Sequence, residues 1–264
     1  MSKKTTLLAA LCGLFLCIFF SWDFLGQNQV DGTKGLQYRL TSDRNGYIVT
    51  DIGYAKDTQI VIPSEYRNKP VVGIGEGAFK NCLKITSITI PDSIKNIEKY
   101  AFLGCENLSE INIPKGVITI ENGIFRDCHN LTKMALHENV TSIEWNAFQD
   151  CTKLTSIELP KNLTEISSGA FWGSGLVSVA IPSKVTTIEM HVFSECRSLK
   201  SITIPISVTK IEIGAFSFCQ ELKEIHFEGT KEQWNAISKE EDWNEKTGGY
   251  RGYTVYCTDG NIKG

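Results

Sequence analysis

The sequence predicts a mostly β repeat solenoid of the α/β type, because three kinds of residue return in columns about every 23 residues between Ile62 and Phe227. The phenylalanine column is Phe79, Phe102, Phe125, Phe148, Phe171, Phe193 and Phe216, with one spacing of 22 residues. The cysteine column follows three residues later, at Cys82, Cys105, Cys128, Cys151, Ser174, Cys196 and Cys219. A proline column from Pro91 to Pro205 is interrupted only by His137. A fixed period of this length is typical of solenoids, whose units bury their apolar faces against their neighbours.

Composition narrows the possible function classes. The 264 residues are 42% hydrophobic and carry a formal net charge of −3, without a run or stripe of basic residues. A protein that binds nucleic acid or an anionic membrane surface would show such a stripe. We therefore expect no nucleic-acid partner.

The first 26 residues are predicted to be a signal peptide or a signal anchor. Lys3 and Lys4 precede an apolar run from Leu7 to Phe20, which is the order of an export signal. The run has 14 residues, short of the roughly 20 that span a bilayer as a helix. No pair of small residues marks a cleavage site, so the sequence leaves a cleaved signal and a retained anchor open. Either one predicts a secreted or surface-anchored chain that touches the membrane only through this segment.

Residues 27–57 are predicted to form a tether and an N-terminal hairpin cap. Two β-like runs, residues 36–40 and 47–52, flank the pair Asn45-Gly46, which favours a tight turn. The first coil of a solenoid exposes apolar core and a strand edge unless another element covers it. The hairpin stands where such a cap is needed.

Residues 58–227 are predicted to form seven coils. Apolar residues recur at fixed offsets from each proline, and after Pro114 they are Val117, Ile120, Phe125, Cys128, Leu131, Met134 and Leu136. The Leu-x-x-Ile-x-Ile and Val-x-x-Ile parts of this pattern each predict a short strand, so each coil adds one strand to each of two parallel sheets, at about 4.8 Å per coil. Between the second strand and the cysteine we expect one helical or 3₁₀ turn with phenylalanine pointing inward. The stacked rings would form an aromatic spine.

Residues 228–264 are predicted to be a C-terminal cap of helix and strand. Thr230 is a suitable N-cap for a helix over residues 231–237, in which Trp234 and Ile237 share one face. A charged loop through Glu245 then leads to a strand over residues 253–257.

The pattern Leu-x-x-Ile-x-Ile-Pro-x-x-Val-x-x-Ile-x-x-x-Ala-Phe-x-x-Cys resembles the BspA-like, treponemal-type leucine-rich repeat family, over about Leu36 to Ile262. The resemblance implies a right-handed leucine-rich-repeat coil outside the cytoplasm, of a kind commonly displayed on microbial surfaces. Characterised members of the family bind host or neighbouring-cell proteins, so the resemblance implies a protein ligand. The family has no shared catalytic motif, and we expect that the chain is not an enzyme.

The polar residues of the coils indicate no catalytic, metal or cofactor site. The cysteine column offers one thiol per coil, whereas zinc needs four converging ligands. Parallel Cβ atoms about 4.8 Å apart are also too distant for a usual disulfide, and Ser174 occupies one place in the column. We therefore predict that these residues are small buried donors that hold a turn. His129, His137, His191 and His226 fall at four different repeat offsets, which argues against a catalytic cluster.

Two surface columns and two tryptophans are candidates for partner contacts. Glu98, Glu121, Glu144, Glu189 and Glu212, interrupted by Ser167, stack along the second sheet as either a solvated face or a contact for a basic partner. The first sheet presents small polar and charged residues, of which Glu110, Lys133 and Glu158 are predicted partner contacts. Trp145 and Trp172 stand outside the core pattern in adjacent coils. As exposed aromatic residues they are predicted to anchor a partner.

The sequence thus predicts a non-catalytic, extracytoplasmic repeat protein that binds a host or neighbouring-cell protein, or mediates adhesion. Two alternatives stay open at this point. One is a structural spacer of the cell envelope without a ligand of its own. The other is a carbohydrate-binding module, whose aromatic residues would stack on sugars. The oligomeric state does not follow from the sequence.

Overall fold

The computed structural model describes residues 32–249 and 252–264. Thr33–Gly264 form one compact unit. The predicted signal segment, residues 1–26, and the first part of the predicted tether lie outside the described residues. Within the described ranges, no helix is long and apolar enough to cross a membrane.

The N-terminal cap is a hairpin of β1 (Gln37–Leu40) and β2 (Tyr47–Asp51), which pair antiparallel. The Asp43 carboxylate accepts the N–H of Asn45 at 3.0 Å and so fixes the turn between the strands. The next strand, β3 (Gln59–Val61), begins the first sheet. Thr33 covers its outer edge, because the Thr33 N–H donates to the Val61 carbonyl at 2.8 Å and its hydroxyl accepts the Val61 N–H at 2.9 Å. Bonds of this kind leave the edge unavailable for pairing with another chain.

The first coil has extra residues before Val71, compared with the later coils. They form β4 (Glu65–Tyr66), which folds back antiparallel on the start of β5 (Lys69–Ile74). β5 begins the second sheet and pairs parallel with β2, so the hairpin cap continues that sheet.

Each later coil adds one strand to each sheet. In the first sheet these are β6 (Ser87–Thr89), β8 (Glu110–Ile111), β10 (Lys133–Ala135), β12 (Ser156–Glu158), β14 (Ser178–Ala180), β16 (Ser201–Ile204) and β18 (Glu224–Phe227). In the second sheet they are β7 (Asn96–Ile97), β9 (Thr119–Ile120), β11 (Ser142–Ile143), β13 (Glu165–Ile166), β15 (Thr187–Ile188) and β17 (Lys210–Ile211). Paired strands are parallel and in register, as Ile143 opposite Ile166 illustrates. Apolar residues at the alternating positions therefore point into one continuous core.

The third side of each coil is a series of tight turns around the phenylalanine. In the first coil, the N–H groups of Gly77, Phe79 and Asn81 donate to carbonyls of the next coil at 2.7–3.2 Å. The N–H groups between them bond to carbonyls three residues earlier in their own coil. Gly77 and Asn81 have positive φ values of 62° and 58°. The sequence predicted one helical or 3₁₀ turn here, but every second N–H points along the stack, so the segment is a succession of turns.

The seven phenylalanines of the column are fully buried. Neighbouring rings stack with centroids 5.3–5.7 Å apart and planes within 3–20° of parallel. Trp243 closes the C-terminal end of the spine by standing edge-on to Phe216, with centroids 5.9 Å apart and planes at 86°. The rings are therefore shielded from water along the whole spine.

The C-terminal cap contains the helix α1 (Lys231–Ala236), which ends one residue before the predicted limit. Thr230 is its N-cap and forms a capping box with Gln233, while Trp234 is buried under the helix. The segment after the helix is more than the loop that the sequence predicted. β19 (Ser238–Lys239) pairs with β17, and the Trp243 carbonyl accepts the Phe216 N–H at 2.8 Å, so the chain follows the path of a further coil. No sequence signal predicted this coil, because it lacks the proline, phenylalanine and cysteine of the repeat.

Two strands complete the first sheet. β20 (Thr254–Cys257) pairs parallel with β18, and β21 (Gly260–Lys263) turns back antiparallel on β20. His226 and Tyr256 stack at 5.1 Å on the outer face of this pair.

Candidate interaction surface

Trp145 is 59% exposed, although its backbone is held firmly. It stands three residues before Phe148, at the corner where the second sheet passes into the turns. Its carbonyl accepts the N–H of Gly123 from the preceding coil at 2.8 Å, and the adjacent Asn146 N–H donates to the Ser168 carbonyl of the following coil at 3.2 Å. A large aromatic ring is thus presented to solvent from a rigid frame, as expected of a partner anchor.

Trp172 differs from its predicted role as an exposed aromatic. It is half-buried, because its ring lies against the His191 ring of the next coil with centroids 5.5 Å apart. Trp172 also occupies a different offset, one residue after its phenylalanine, so the two tryptophans do not continue one column. The sequence could not predict this contact, since it depends on which side chain the neighbouring coil supplies.

The column that contains Trp145 holds further exposed apolar residues. Met190 and Ile213 occupy the same position, three residues before their phenylalanines, and are 41% and 40% exposed. Ser168 lies between Trp145 and Met190 in this column. We call Trp145, Met190 and Ile213 the apolar stripe. Sequence reasoning missed it because the same column holds Glu76, Lys99 and Asn122 in earlier coils, so no repeat-wide pattern marks it.

The glutamate column runs beside the apolar stripe, one residue earlier in each coil. The carboxylates of Glu98, Glu189 and Glu212 accept backbone N–H groups of the preceding coil, from Glu76, Ser168 and Met190, at 2.9, 2.9 and 3.1 Å. These carboxylates are therefore built into the hydrogen bonding between coils, in addition to facing solvent. The sequence pattern predicted only that like charges stack along the column, and not these hydrogen bonds.

Burial and mutual repulsion affect the titration of this column. Burial raises the pKa of the Glu121 carboxyl, and the neighbouring Glu144 charge raises it further. Burial also raises the pKa of Glu189, although hydrogen bonds from the Ser168 hydroxyl and N–H oppose the shift. At the C-terminal end Lys210 pairs with Glu212 at 2.8 Å and with Glu240 at 2.9 Å. Negative charge is thus neutralised at that end.

Glu110, Lys133 and Glu158 lie exposed on the first sheet, apart from the apolar stripe. β10 and β12 pair in register, so Ala135 lies opposite Glu158, whereas β8 and β10 do not pair. None of the three side chains forms an ion pair with another described residue. The structure therefore separates the predicted contacts into two surfaces, one on the first sheet and one along the turns.

The cysteine column faces the core. The thiols of Cys105, Cys128, Cys151, Cys196 and Cys219 donate to the phenylalanine carbonyl of the preceding coil at 3.0–3.3 Å. Burial raises the pKa of these thiols, to about 12 for Cys105 and Cys196, so they remain protonated donors. Cys82 differs from the predicted buried ladder. Among the described residues its thiol reaches only the Lys80 carbonyl of its own coil, at 3.9 Å, and the residue is half-exposed.

The comparison with protein-family models decides the family. The BspA type leucine rich repeat region matches in six copies, over residues 72–200 and 186–239, which is more than half of the chain. The chain belongs to the BspA-type leucine-rich repeat family. The family resemblance and the solenoid fold predicted from the sequence are confirmed.

Solved structures similar to this BspA-type chain are bacterial leucine-rich repeat proteins. The T. pallidum leucine rich repeat protein is 28% identical, with a TM-score of 0.53, and the match covers 73% of this chain and 79% of that one. A leucine rich cell surface protein from Faecalibacterium prausnitzii A2-165 is 25% identical, with a TM-score of 0.54, and the match covers 74% and 69% of the two chains. A comparison with curated protein sequences gave no significant match.

Proposed function

We propose that this BspA-type protein is a non-catalytic, extracytoplasmic binding protein that recognises another protein at the cell surface, in adhesion or a similar contact. The single observation that carries the proposal is Trp145, a tryptophan that is 59% exposed on a backbone fixed from both sides. Tryptophan is enriched among the residues that dominate binding energy at protein interfaces, because it buries a large area at a small entropic cost.

The frame around Trp145 supports binding to a protein. Backbone hydrogen bonds along the turns join Trp145 and Asn146 to the coils on both sides, and β11 pairs with β9 and β13, so surface residues of these neighbouring coils keep fixed positions. A preorganised surface of this kind lowers the entropic cost of association. The apolar leader of the sequence and the likeness to a cell surface protein of F. prausnitzii support the proposed location.

The first test compares the wild-type chain with Trp145→Ala in a pull-down of proteins from the surface of candidate host or neighbouring cells. The control is Ile206→Ala, because Ile206 is 55% exposed and lies outside the apolar stripe. We expect Trp145→Ala to lose most of the captured protein, by about tenfold, and Ile206→Ala to retain it. Equal capture by the three proteins would remove Trp145 as the anchor.

Two other outcomes would support the alternatives. A chain that captures no protein but lengthens or stabilises the envelope would be a structural spacer. A chain that binds a glycan array through Trp145 would be a carbohydrate-binding module. Capture of a protein after enzymatic removal of its glycans would exclude the module.

A further inference from the structure

We infer that the apolar stripe docks a segment of a partner protein that carries apolar side chains together with a lysine or arginine, an inference that rests on the proposed function. The cationic side chain would lie beside Trp145, and the apolar side chains would lie over Met190 and Ile213. The argument uses the exposure of the stripe, the charge on its borders and one free backbone donor.

The stripe has the dimensions of a short extended segment. Trp145 and Ile213 are three coil steps apart, which is about 15 Å at the spacing of parallel strands. An extended chain covers that distance with about four or five residues. Trp145, Met190 and Ile213 are all at least 40% exposed, so three of the four coil positions along this length present an uncovered apolar side chain, and Ser168 occupies the fourth.

The borders of the stripe are acidic, and among the described residues ion pairs neutralise the glutamates only at the Ile213 end. Neither Glu121 nor Glu144 forms an ion pair with a described residue, whereas Glu212 is paired with Lys210. A lysine or arginine over the Trp145 ring would gain a cation–π contact and reduce the repulsion between Glu121 and Glu144.

Trp145 also has an unused backbone donor. At the equivalent positions, the N–H groups of Ser168, Met190 and Ile213 donate to a glutamate of the next coil. The next coil has Ser167 where the glutamate would stand, and the Trp145 N–H, like the equivalent Lys99 N–H, donates to no group among the described residues. This N–H can donate to a main-chain carbonyl of the docked segment.

The same charges disfavour a second copy of this chain as the occupant. Two copies joined through the stripe would bring their glutamate columns together, and like charges facing each other across an interface cost binding energy. The partner is therefore a different protein, with basic residues in the segment that docks.

A peptide selection tests this inference. Phage-displayed random peptides are selected on the immobilised full-length chain, and the enriched sequences are synthesised for binding titrations. We expect enriched peptides to combine lysine or arginine with aromatic or aliphatic residues. Their affinity should fall about tenfold on Trp145→Ala and on Glu144→Lys, and should weaken at high salt. The matched controls are Ile206→Ala, and Glu110→Lys on the first sheet, which should leave the affinity unchanged.

Several results would overturn the inference. Enriched peptides that are acidic or neutral, no enrichment over a blank surface, or equal losses for Glu110→Lys and Glu144→Lys would each do so. The proposed function would survive these results if cell-surface protein is still captured through Trp145 in the pull-down. Met190→Ala is a second stripe variant in case Trp145→Ala alters folding, and thermal denaturation of each variant verifies that it is folded.

Discussion

Five phenylalanine carbonyls of the spine accept two hydrogen bonds, one from the N–H three residues later and one from the cysteine thiol of the next coil. This second bond explains the cysteine column. The Phe79 carbonyl accepts the Cys82 N–H at 3.1 Å from its own coil and the Cys105 thiol at 3.0 Å from the next. The small thiol satisfies a buried oxygen without filling the space that the rings need. Where Ser174 replaces cysteine, its hydroxyl lies 3.3 Å from the Cys196 sulfur instead. The position therefore requires a small hydrogen-bond donor, and either a thiol or a hydroxyl can serve.

We expect Glu121 of the glutamate column and Glu240 of the C-terminal cap to affect stability with opposite signs. The pKa of Glu121 is raised by burial and by Glu144 above its ordinary value of 4.5, whereas hydrogen bonds from Lys210 and from the Ile213 N–H lower the pKa of Glu240 below it. A raised carboxyl pKa means that the ionised group costs stability at neutral pH, and a lowered one means that it contributes stability there.

We predict that Glu121→Gln raises the melting temperature at pH 7 and that Glu240→Gln lowers it. Below the unfolded value of 4.5 Glu121 is protonated in both states, so the gain from Glu121→Gln should vanish by about pH 4. The stabilisation by Glu240 is present above 4.5 and is lost as the pH falls through its lowered folded pKa. Thermal denaturation of the three proteins at pH 7 and pH 4 measures both differences. Shifts of the same sign at pH 7 would contradict this account.

At the scale of the element, the coil between Phe171 and Phe193 is one residue shorter than the others. Gly175 stands alone between Ser174 and Leu176, where the preceding coil has Thr152 and Lys153 between Cys151 and Leu154. The shortened turn brings Gly175 against the preceding coil, and its N–H donates to the Cys151 carbonyl at 3.1 Å. A Cβ at this position would collide with the Thr152 carbonyl oxygen. The shorter coil therefore depends on glycine.

Gly175→Ala should destabilise the protein by roughly 1–3 kcal/mol, as in an overpacked core, because a backbone carbonyl cannot move aside as a side chain can. Gly73→Ala is the matched control, since a Cβ there meets Ile48 at an ordinary contact distance of 3.4 Å. Urea denaturation of both variants measures the difference in unfolding free energy. If Gly175→Ala is as stable as Gly73→Ala, the turn is more adaptable than the contacts indicate.

At the scale of the whole molecule, stability depends on contacts between coils. Every coil donates backbone hydrogen bonds to its neighbours, and the phenylalanine spine passes through all seven repeats. The two ends are covered by different means, the hairpin and Thr33 at one end and Trp243 with α1 at the other. Terminal coils need such covers because they have a neighbour on one side only.

Phe148→Ala should reduce the unfolding free energy by about 3–5 kcal/mol, because a ring stacked on both sides leaves a cavity in the middle of the spine. Phe218→Ala removes the same ring from a half-buried site outside the spine, where Lys246 lies over it at 4.8 Å. This control should cost less. Guanidinium denaturation measures both losses, and an equal or smaller loss for Phe148→Ala would mean that the spine does not carry the stability of the stack.

The sequence by itself determined the period, the two sheets and the buried columns. Inward positions of every coil face the same surroundings, namely the two neighbouring coils. Phe148 and Cys151 are therefore under the same packing constraint as the equivalent residues of the other coils. A residue type that repeats in the sequence thus indicates a buried position. The hairpin and the cap of α1 at Thr230 could be predicted for a similar reason, because local turn and capping chemistry fixes them. The turn itself differs from the predicted one, because the loop runs from Thr41 to Gly46 and its positive φ, 60°, falls at Arg44 and not in the Asn45-Gly46 pair.

Only the tertiary structure decided which outward residues meet. Trp172 lies against His191, glutamates accept N–H groups of the preceding coil, and the C-terminal segment follows a further coil without the repeat signals. Surface positions vary from coil to coil, and each contact joins residues about 23 apart that no local pattern links. The apolar stripe at Trp145, Met190 and Ile213 depends on such a stacking, because its members become one surface only when their coils lie side by side.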